Sequence, residues 1–216
     1  MKINKVAVIG AGLMGSGIAA QVANAGFPVT LLDIVPDGAT NRNVIAESAV
    51  RKMLKPVKLG SPAPLMHKKN AKLITTGNID DNLDLIKDAD LIIEVVLERL
   101  DIKHDVFIKI QKHRKKGSIV TSNTSTIPRE QLVKGMSESF AKDFMITHFF
   151  NPPRYLRLLE IVSGSEVSSD KVQIVSDFCD INLGKEIVVC NDTPGFIGNR
   201  IGTYWTLVGM VEAFKS

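Results

Sequence analysis

The chain has 216 residues, 44% of them hydrophobic, and carries 27 basic against 23 acidic side chains for a net charge of +4. That length allows one substantial core, or one domain and the beginning of a second, and it excludes a small scaffold that needs stapling. Cys179 and Cys190 lie in apolar stretches with no second pair, so neither a disulfide framework nor a zinc site is expected, and a reducing, cytoplasmic setting is the default. No apolar run reaches the roughly 20 residues of a bilayer span, so no membrane partner is expected.

The run Val6–Ile9 is apolar throughout and ends in glycines, which predicts a strand buried on both faces of a parallel sheet. Met14, Ile18, Val22 and Ala25 recur at helical spacing with Gly26 as a stop, predicting a helix over about residues 13–25. Residues 28–33 follow as a second strand. From 34 to 73 the pattern is polar and helical but broken by Pro56, Pro62 and Pro64, which predicts helices that project from the sheet rather than join its core. This segment also holds the positive charge: Arg42, Arg51, Lys52, Lys55, Lys58, Lys68, Lys69 and Lys72 stand against only Asp37 and Glu47. A solvated helix face is the ordinary explanation, and a phosphate-rich ligand the sharper one. No aromatic residues interleave with these cations, so no nucleic-acid partner is expected.

Strands are predicted next at 89–96 and 118–123, with a helix between them marked by Ile102, Val106 and Ile110 and closed by Arg114, Lys115, Lys116 and Gly117. Further strands are predicted at 144–149, 158–162 and 186–190, and a helix between 170 and 182. Strands and helices alternating in this way define a doubly wound α/β fold with a mainly parallel sheet. At Thr193 the character changes. Thr193 is a good N-cap, Pro194 suits the first helical position, and Ile197, Ile201, Trp205, Val208 and Val211 form one stripe on a final helix. The chain therefore divides at 191/192, with residues 192–216 expected to be the first helix of a C-terminal helical domain. With nothing in the sequence to cover that stripe, a homodimer or larger self-association through it is expected.

Gly10-Ala11-Gly12-Leu13-Met14-Gly15 fits a dinucleotide fingerprint: a tight turn, close approach of backbone to pyrophosphate, and close packing of helix on strand. Its context strengthens it. The motif follows a buried strand, opens a helix, and is followed by Asp33 at the end of the next strand. An acid there accepts from ribose hydroxyls and repels a 2′-phosphate, and Ile34 supplies no cation, so NAD is the expected cofactor rather than NADP.

Ser125, His148, Glu160 and Asn199 are expected where such a sheet presents its strand C-terminal ends, the edge where ligands lie. Glu160 stands inside the apolar run Leu158-Leu159-Glu160-Ile161-Val162, where a carboxylate is costly without a partner, and the imidazole of His148 would meet that cost. His67, His104 and His113 lie in polar helical stretches and are expected at the surface.

Ser122-Asn123-Thr124-Ser125, His148-Phe149-Phe150-Asn151-Pro152, Leu159-Glu160-Ile161-Val162 and Asp192-Thr193-Pro194-Gly195-Phe196 through Asn199-Arg200 resemble the signatures of 3-hydroxyacyl-CoA dehydrogenases, as does the opening glycine loop. The likeness covers essentially the whole chain, and Arg154-Tyr155-Leu156 makes it especially similar to the dehydrogenase modules of multifunctional fatty acid β-oxidation proteins. The resemblance implies a Rossmann-type domain that oxidises L-3-hydroxyacyl-CoA with NAD. It implies His148 as general base, Glu160 as its orienting acid, and Ser125 and Asn199 as hydrogen-bonding partners of the reacting oxygen. It also implies NAD contacts at Asn123, Ser125, Asn151, Glu98 and Lys103, besides those of Gly10, Gly12, Leu13, Met14, Gly15 and Asp33. Coenzyme A would lie along the basic segment, with Lys52 and Lys55 the lysines assigned to it. The family adds a bundle of helices after this domain, and here the sequence ends one helix into it, so NAD binding with weak or no turnover by this chain alone is expected. Two other functions are open at this point: another β-hydroxyacid dehydrogenase, which would ordinarily use a lysine, and a non-catalytic NAD-binding relative.

Overall fold

In the first strand, alternate residues point to opposite layers: Val6 and Val8 join one apolar cluster while Ala7 and Ile9 join the other. A strand buried on both faces in this way belongs in the middle of a sheet covered by helices, and the computed structural model, which describes residues 2–56 and 62–215, has that form. Its strands are β1 (Val6–Ile9), β2 (Val29–Asp33), β3 (Ile74–Asn78), β4 (Leu91–Glu94), β5 (Ile119–Ser122), β6 (Phe144–Phe149), β7 (Leu158–Ser163) and β8 (Glu186–Val189). They lie in the order β3-β2-β1-β4-β5-β6-β7-β8. The first six run parallel, β7 is antiparallel to β6, and β8 runs parallel to β7. The doubly wound, mainly parallel class stands.

Helices α1 (Leu13–Asn24) and α2 (Val44–Met53) cover one face of the sheet. On the other lie α3 (Leu100–His113) and the short α4 (Arg129–Val133) and α5 (Glu138–Ala141), where Phe107, Phe140 and Phe144 pack ring against ring with centroids 5.1 to 5.6 Å apart. Helix α6 (Ser169–Asp177) continues as a π turn over Phe178–Asn182, and α7 (Gly198–Ala213) is the last helix among the described residues.

Three sequence expectations are corrected. Residues 34–73 do not project: Ala46, Ala49 and Met53 of α2 are buried in the core, and β3, absent from the expected strands, follows them as an edge strand. Small residues at helical spacing let α2 lie close to α1, a packing face that polar composition had hidden. The charge expected there includes Lys58, which lies outside the described residues. The final helix begins at Gly198, not Pro194, because Gly195 and Phe196 adopt positive φ (77° and 48°) and break the helical path. Thr193 turns its hydroxyl to the carbonyl of Asn191 instead of capping. Finally, Glu160 is not at the C-terminal end of its strand. Because β7 runs backwards, Glu160 near its start pairs in register with His148 near the end of β6. From Arg200 onward every described residue of α7 is exposed, including Trp205 at 75%. Among the described residues no helix is long and apolar enough to cross a membrane.

One buried ion pair ties the middle of the sheet to α3. Glu94 closes β4 and accepts from the ammonium of Lys103 at 2.8 Å, the hydroxyl of Ser122 at 2.6 Å and the amide of Val96 at 2.7 Å. Both charged side chains are essentially sealed from water. Burial pushes the Glu94 carboxyl above its usual range, against the pull of Lys103. Lys103→Met, which strands that carboxylate, is expected to cost about 3–5 kcal/mol. The double variant Lys103→Met with Glu94→Met should recover part of the loss, as urea unfolding would measure. Both thiols are also inert by burial: Cys179 is pushed up to about 12, and Cys190, beside Glu160 as well as buried, to about 11. Neither is expected to react with a disulfide reagent at pH 8 until the chain is unfolded, when both should label.

Candidate active site

The C-terminal ends of β1, β2, β4, β5 and β6 share one edge of the sheet, and the expected site residues gather there. Gly10 takes φ +109° and lies so close to β4 that a Cβ would sit 2.5 Å from the Val95 carbonyl oxygen, while a Cβ on Gly15 would fall on the Gly10 carbonyl. Gly12 is different: a Cβ there would meet nothing within 4 Å. Its backbone faces open space at the N-terminus of α1, where unpaired N–H groups favour an anion. The protein itself gives no reason for a missing side chain at Gly12, and a diphosphate laid against the backbone does, so the loop fits the cofactor. Asp33, at the end of β2, accepts from the amide of Ala11 at 2.5 Å and from Ile34 at 2.7 Å, fixing its carboxylate beside the loop. Leu13 is exposed at the helix start, and Met14 packs partly into the core.

A second group surrounds the loop after β5. Glu98 accepts from the hydroxyl of Thr124, the amide of Ser125 at 2.9 Å, and the amide and hydroxyl of Thr126 at 3.2 Å each. Burial opposes its charge, but the Thr124 bond and the Lys103 ammonium, 3.2 Å away, hold the carboxyl below its usual range. Ser125 is thus placed by its backbone. Lys103 faces inward, between Glu94 and Glu98, and is 1% exposed. Asn123 also turns inward, its side-chain oxygen accepting from the amide of Phe149 at 2.9 Å, which ties this loop to the end of β6.

The third group is the imidazole and its acid. His148 Nδ1 lies 2.8 Å from Glu160 Oε2, with both side chains at least 95% buried. The other oxygen, Oε1, accepts from the amides of Ile197 at 3.0 Å and Gly198 at 2.7 Å, so the same carboxylate holds the first turn of α7. Phe150 and Phe196 flank the ring at centroid distances of 4.5 and 5.5 Å. A carboxylate acceptor at Nδ1 fixes the proton there and leaves Nε2 as the base. Among the described residues Nε2 has no hydrogen-bond partner and is not sealed, the one sealed, unsatisfied side-chain atom being Gln21 Oε1, so Nε2 keeps some contact with solvent. Asn199 follows immediately on the first turn of α7.

A cleft of about 1140 Å³ runs from Gly12, Leu13 and Ser16 between α2 and the loop 151–155. Lys52 and Lys55 line it, and so do Asn151 and Arg154. Glu94 was not singled out from sequence, and Arg154 was noted there only within a string that resembles the family, not as part of the cleft. Glu94 carried the same cue as Glu160, an acid inside an apolar run, whereas nothing local marked Arg154 as a cleft residue. Among the described residues no three His, Cys, Asp or Glu side chains converge on a metal position.

The family description "3-hydroxyacyl-CoA dehydrogenase, NAD binding domain" matches residues 5–193. A probable 3-hydroxyacyl-CoA dehydrogenase of Deinococcus radiodurans is 47% identical over the whole chain, which covers 60% of that protein. One of Bacillus subtilis is 46% identical over 99% of the chain and 28% of its own length. The chain thus spans less than two thirds of the length of these relatives. Among solved structures, an (S)-3-hydroxybutyryl-CoA dehydrogenase of Ralstonia eutropha superposes with a TM-score of 0.73 at 29% identity, covering 93% of this chain and 68% of that one. A 3-hydroxyacyl-CoA dehydrogenase of Archaeoglobus fulgidus does so with 0.75 at 28% identity, covering 97% and 64%. With its glycine loop, its Asp33 and a buried imidazole–carboxylate pair on one sheet edge, the chain belongs to the 3-hydroxyacyl-CoA dehydrogenase family and comprises that family's NAD-binding domain.

Proposed function

We propose that this chain serves the oxidation of L-3-hydroxyacyl-CoA to 3-oxoacyl-CoA in fatty acid β-oxidation. The observation that carries this is the 2.8 Å bond between His148 Nδ1 and Glu160, which leaves Nε2 open beside the edge that bears the glycine loop. His148 Nε2 takes the proton of the 3-hydroxyl, and Glu160 stabilises the imidazolium that results. NAD, when bound, supplies the hydride acceptor. The backbone of Gly12 and the N-terminus of α1 hold the cofactor's diphosphate, and Asp33 takes its ribose hydroxyls. Ser125, set in place through Glu98, and Asn199, set through Glu160, donate to the oxygen as it becomes a carbonyl. Asn151 contributes from the cleft wall. Lys52 and Lys55 give the cleft the charge that suits the phosphates of coenzyme A. Lys103 and Asn123 act on the cofactor by fixing loops, since the Lys103 ammonium is engaged by Glu94 and the Asn123 side-chain oxygen by the Phe149 amide.

Asn199 stands on a helix whose outer side is bare, and among the described residues nothing closes over the substrate from that side. The 216-residue chain is therefore expected to bind NAD in a calorimetric titration, and to reduce it with 3-hydroxybutyryl-CoA only slowly. Vigorous turnover would overturn the second expectation, and no NAD binding the first.

His148→Asn should lower whatever turnover the chain sustains by roughly 10²–10⁴-fold without altering its unfolding midpoint. Gly12→Ala is a cleaner probe of the cofactor, because the added methyl meets no protein atom. It should leave thermal stability unchanged and abolish NAD binding. Unchanged NAD affinity in that variant would mean the diphosphate lies elsewhere.

A further inference from the structure

Lys185, between the π turn and β8, is 2% exposed and has no carboxylate within ion-pairing distance among the described residues. Its ammonium donates instead to two carbonyls of one loop, those of Pro153 and of Leu156, the latter at 2.8 Å. It also lies 5.7 Å from the centroid of the Phe149 ring, next to His148 in sequence. A buried cation without a counter-charge is expensive, and carbonyl dipoles offset only part of that expense. Burial accordingly lowers the Lys185 ammonium to about 8, with the Cys179 thiol its titratable neighbour. Methionine would fill the same space without this penalty, so packing alone does not explain a lysine.

The loop it grips is the wall of the cleft. Asn151, Pro152, Pro153, Arg154 and Tyr155 all line it. From the opposite side Pro153 rests on α1 at Gly17, where a Cβ would come within 3.0 Å of the proline ring. Arg154 reaches across to the carbonyl of Ala63. The wall is thus seated on the helix that opens with the glycine loop and drawn from behind by Lys185.

We propose that Lys185 is a positioning residue whose ammonium, bonded to the Pro153 and Leu156 carbonyls, holds the 151–156 loop at the spacing from α1 that NAD and the acyl-CoA require. This rests on the functional assignment above, but its first test does not. The amides of Tyr155 and Leu156, which both donate to Pro152, report directly on the loop by hydrogen exchange. In the wild-type chain they are expected to be protected. Exchange there as fast as in an unstructured peptide would overturn the proposal whether or not any variant folds. In Lys185→Met both amides should exchange about tenfold faster or more, while those of β1 keep their protection. Unchanged exchange at 155 and 156 would show the lysine to be only a core residue. NAD affinity should fall about tenfold in Lys185→Met and less in Lys185→Arg, which keeps the charge. If wild type binds no NAD, the functional assignment fails, and the exchange measurements still decide the role of Lys185. Faster loop exchange with undiminished NAD affinity would overturn the link to the cleft.

Discussion

A carboxylate shut away from water must be given donors, and at Glu160 those donors come from two distant parts of the chain. One oxygen receives the ring nitrogen of His148 across the β6–β7 ladder, and the other receives two amides from the start of α7. The same interaction therefore orients the imidazole and fixes where the first turn of α7, with Asn199, stands. Its geometry depends on an antiparallel pairing at the end of an otherwise parallel sheet. Only a strand running backwards brings an acid near its beginning level with a histidine near the end of its neighbour.

The rest of the edge is built by the same device. Asp33 takes the amide of Ala11 from the glycine loop, Glu94 takes Val96 and the Lys103 ammonium, and Glu98 gathers the donors of residues 124–126. Loops carry exposed backbone amides that need partners, and short acids at or just beyond strand ends supply them without covering the space a ligand would use. Glu98, which the resemblance assigns to the cofactor, thus serves here as a brace for the neighbouring loop. The cation Lys185 does the complementary task, gathering carbonyls where the acids gather amides.

Much of this was legible residue by residue. The strand from Val6 to Ile9, the helix after it and the position of Asp33 follow from local pattern, because a strand buried on both faces must be apolar and a phosphate-binding turn must lack side chains. The partnership of His148 and Glu160 was also accessible, since an acid inside an apolar run demands a partner and few were available. Less was visible where burial depends on neighbours remote in sequence. The residues 34–73 looked like a projecting excursion because their polar face dominates the composition, while Ala46, Ala49 and Met53 bury a narrow stripe against α1 and the sheet. The start of α7 was misplaced because Thr193-Pro194 is a good local helix opening that the positive φ of Gly195 and Phe196 overrides.

By itself the sequence determined the class of fold, the cofactor loop and the pairing of a buried histidine with a buried acid, since each is set by short-range chemistry: periodicity, absent side chains, and the cost of an unpartnered charge. Tertiary structure decided which polar groups meet. It turned Lys103 and Asn123 inward, joined Glu160 to α7, and placed Lys185 behind the cleft wall, because strand order and crossover connections bring together residues whose separation along the chain carries no signal of their contact.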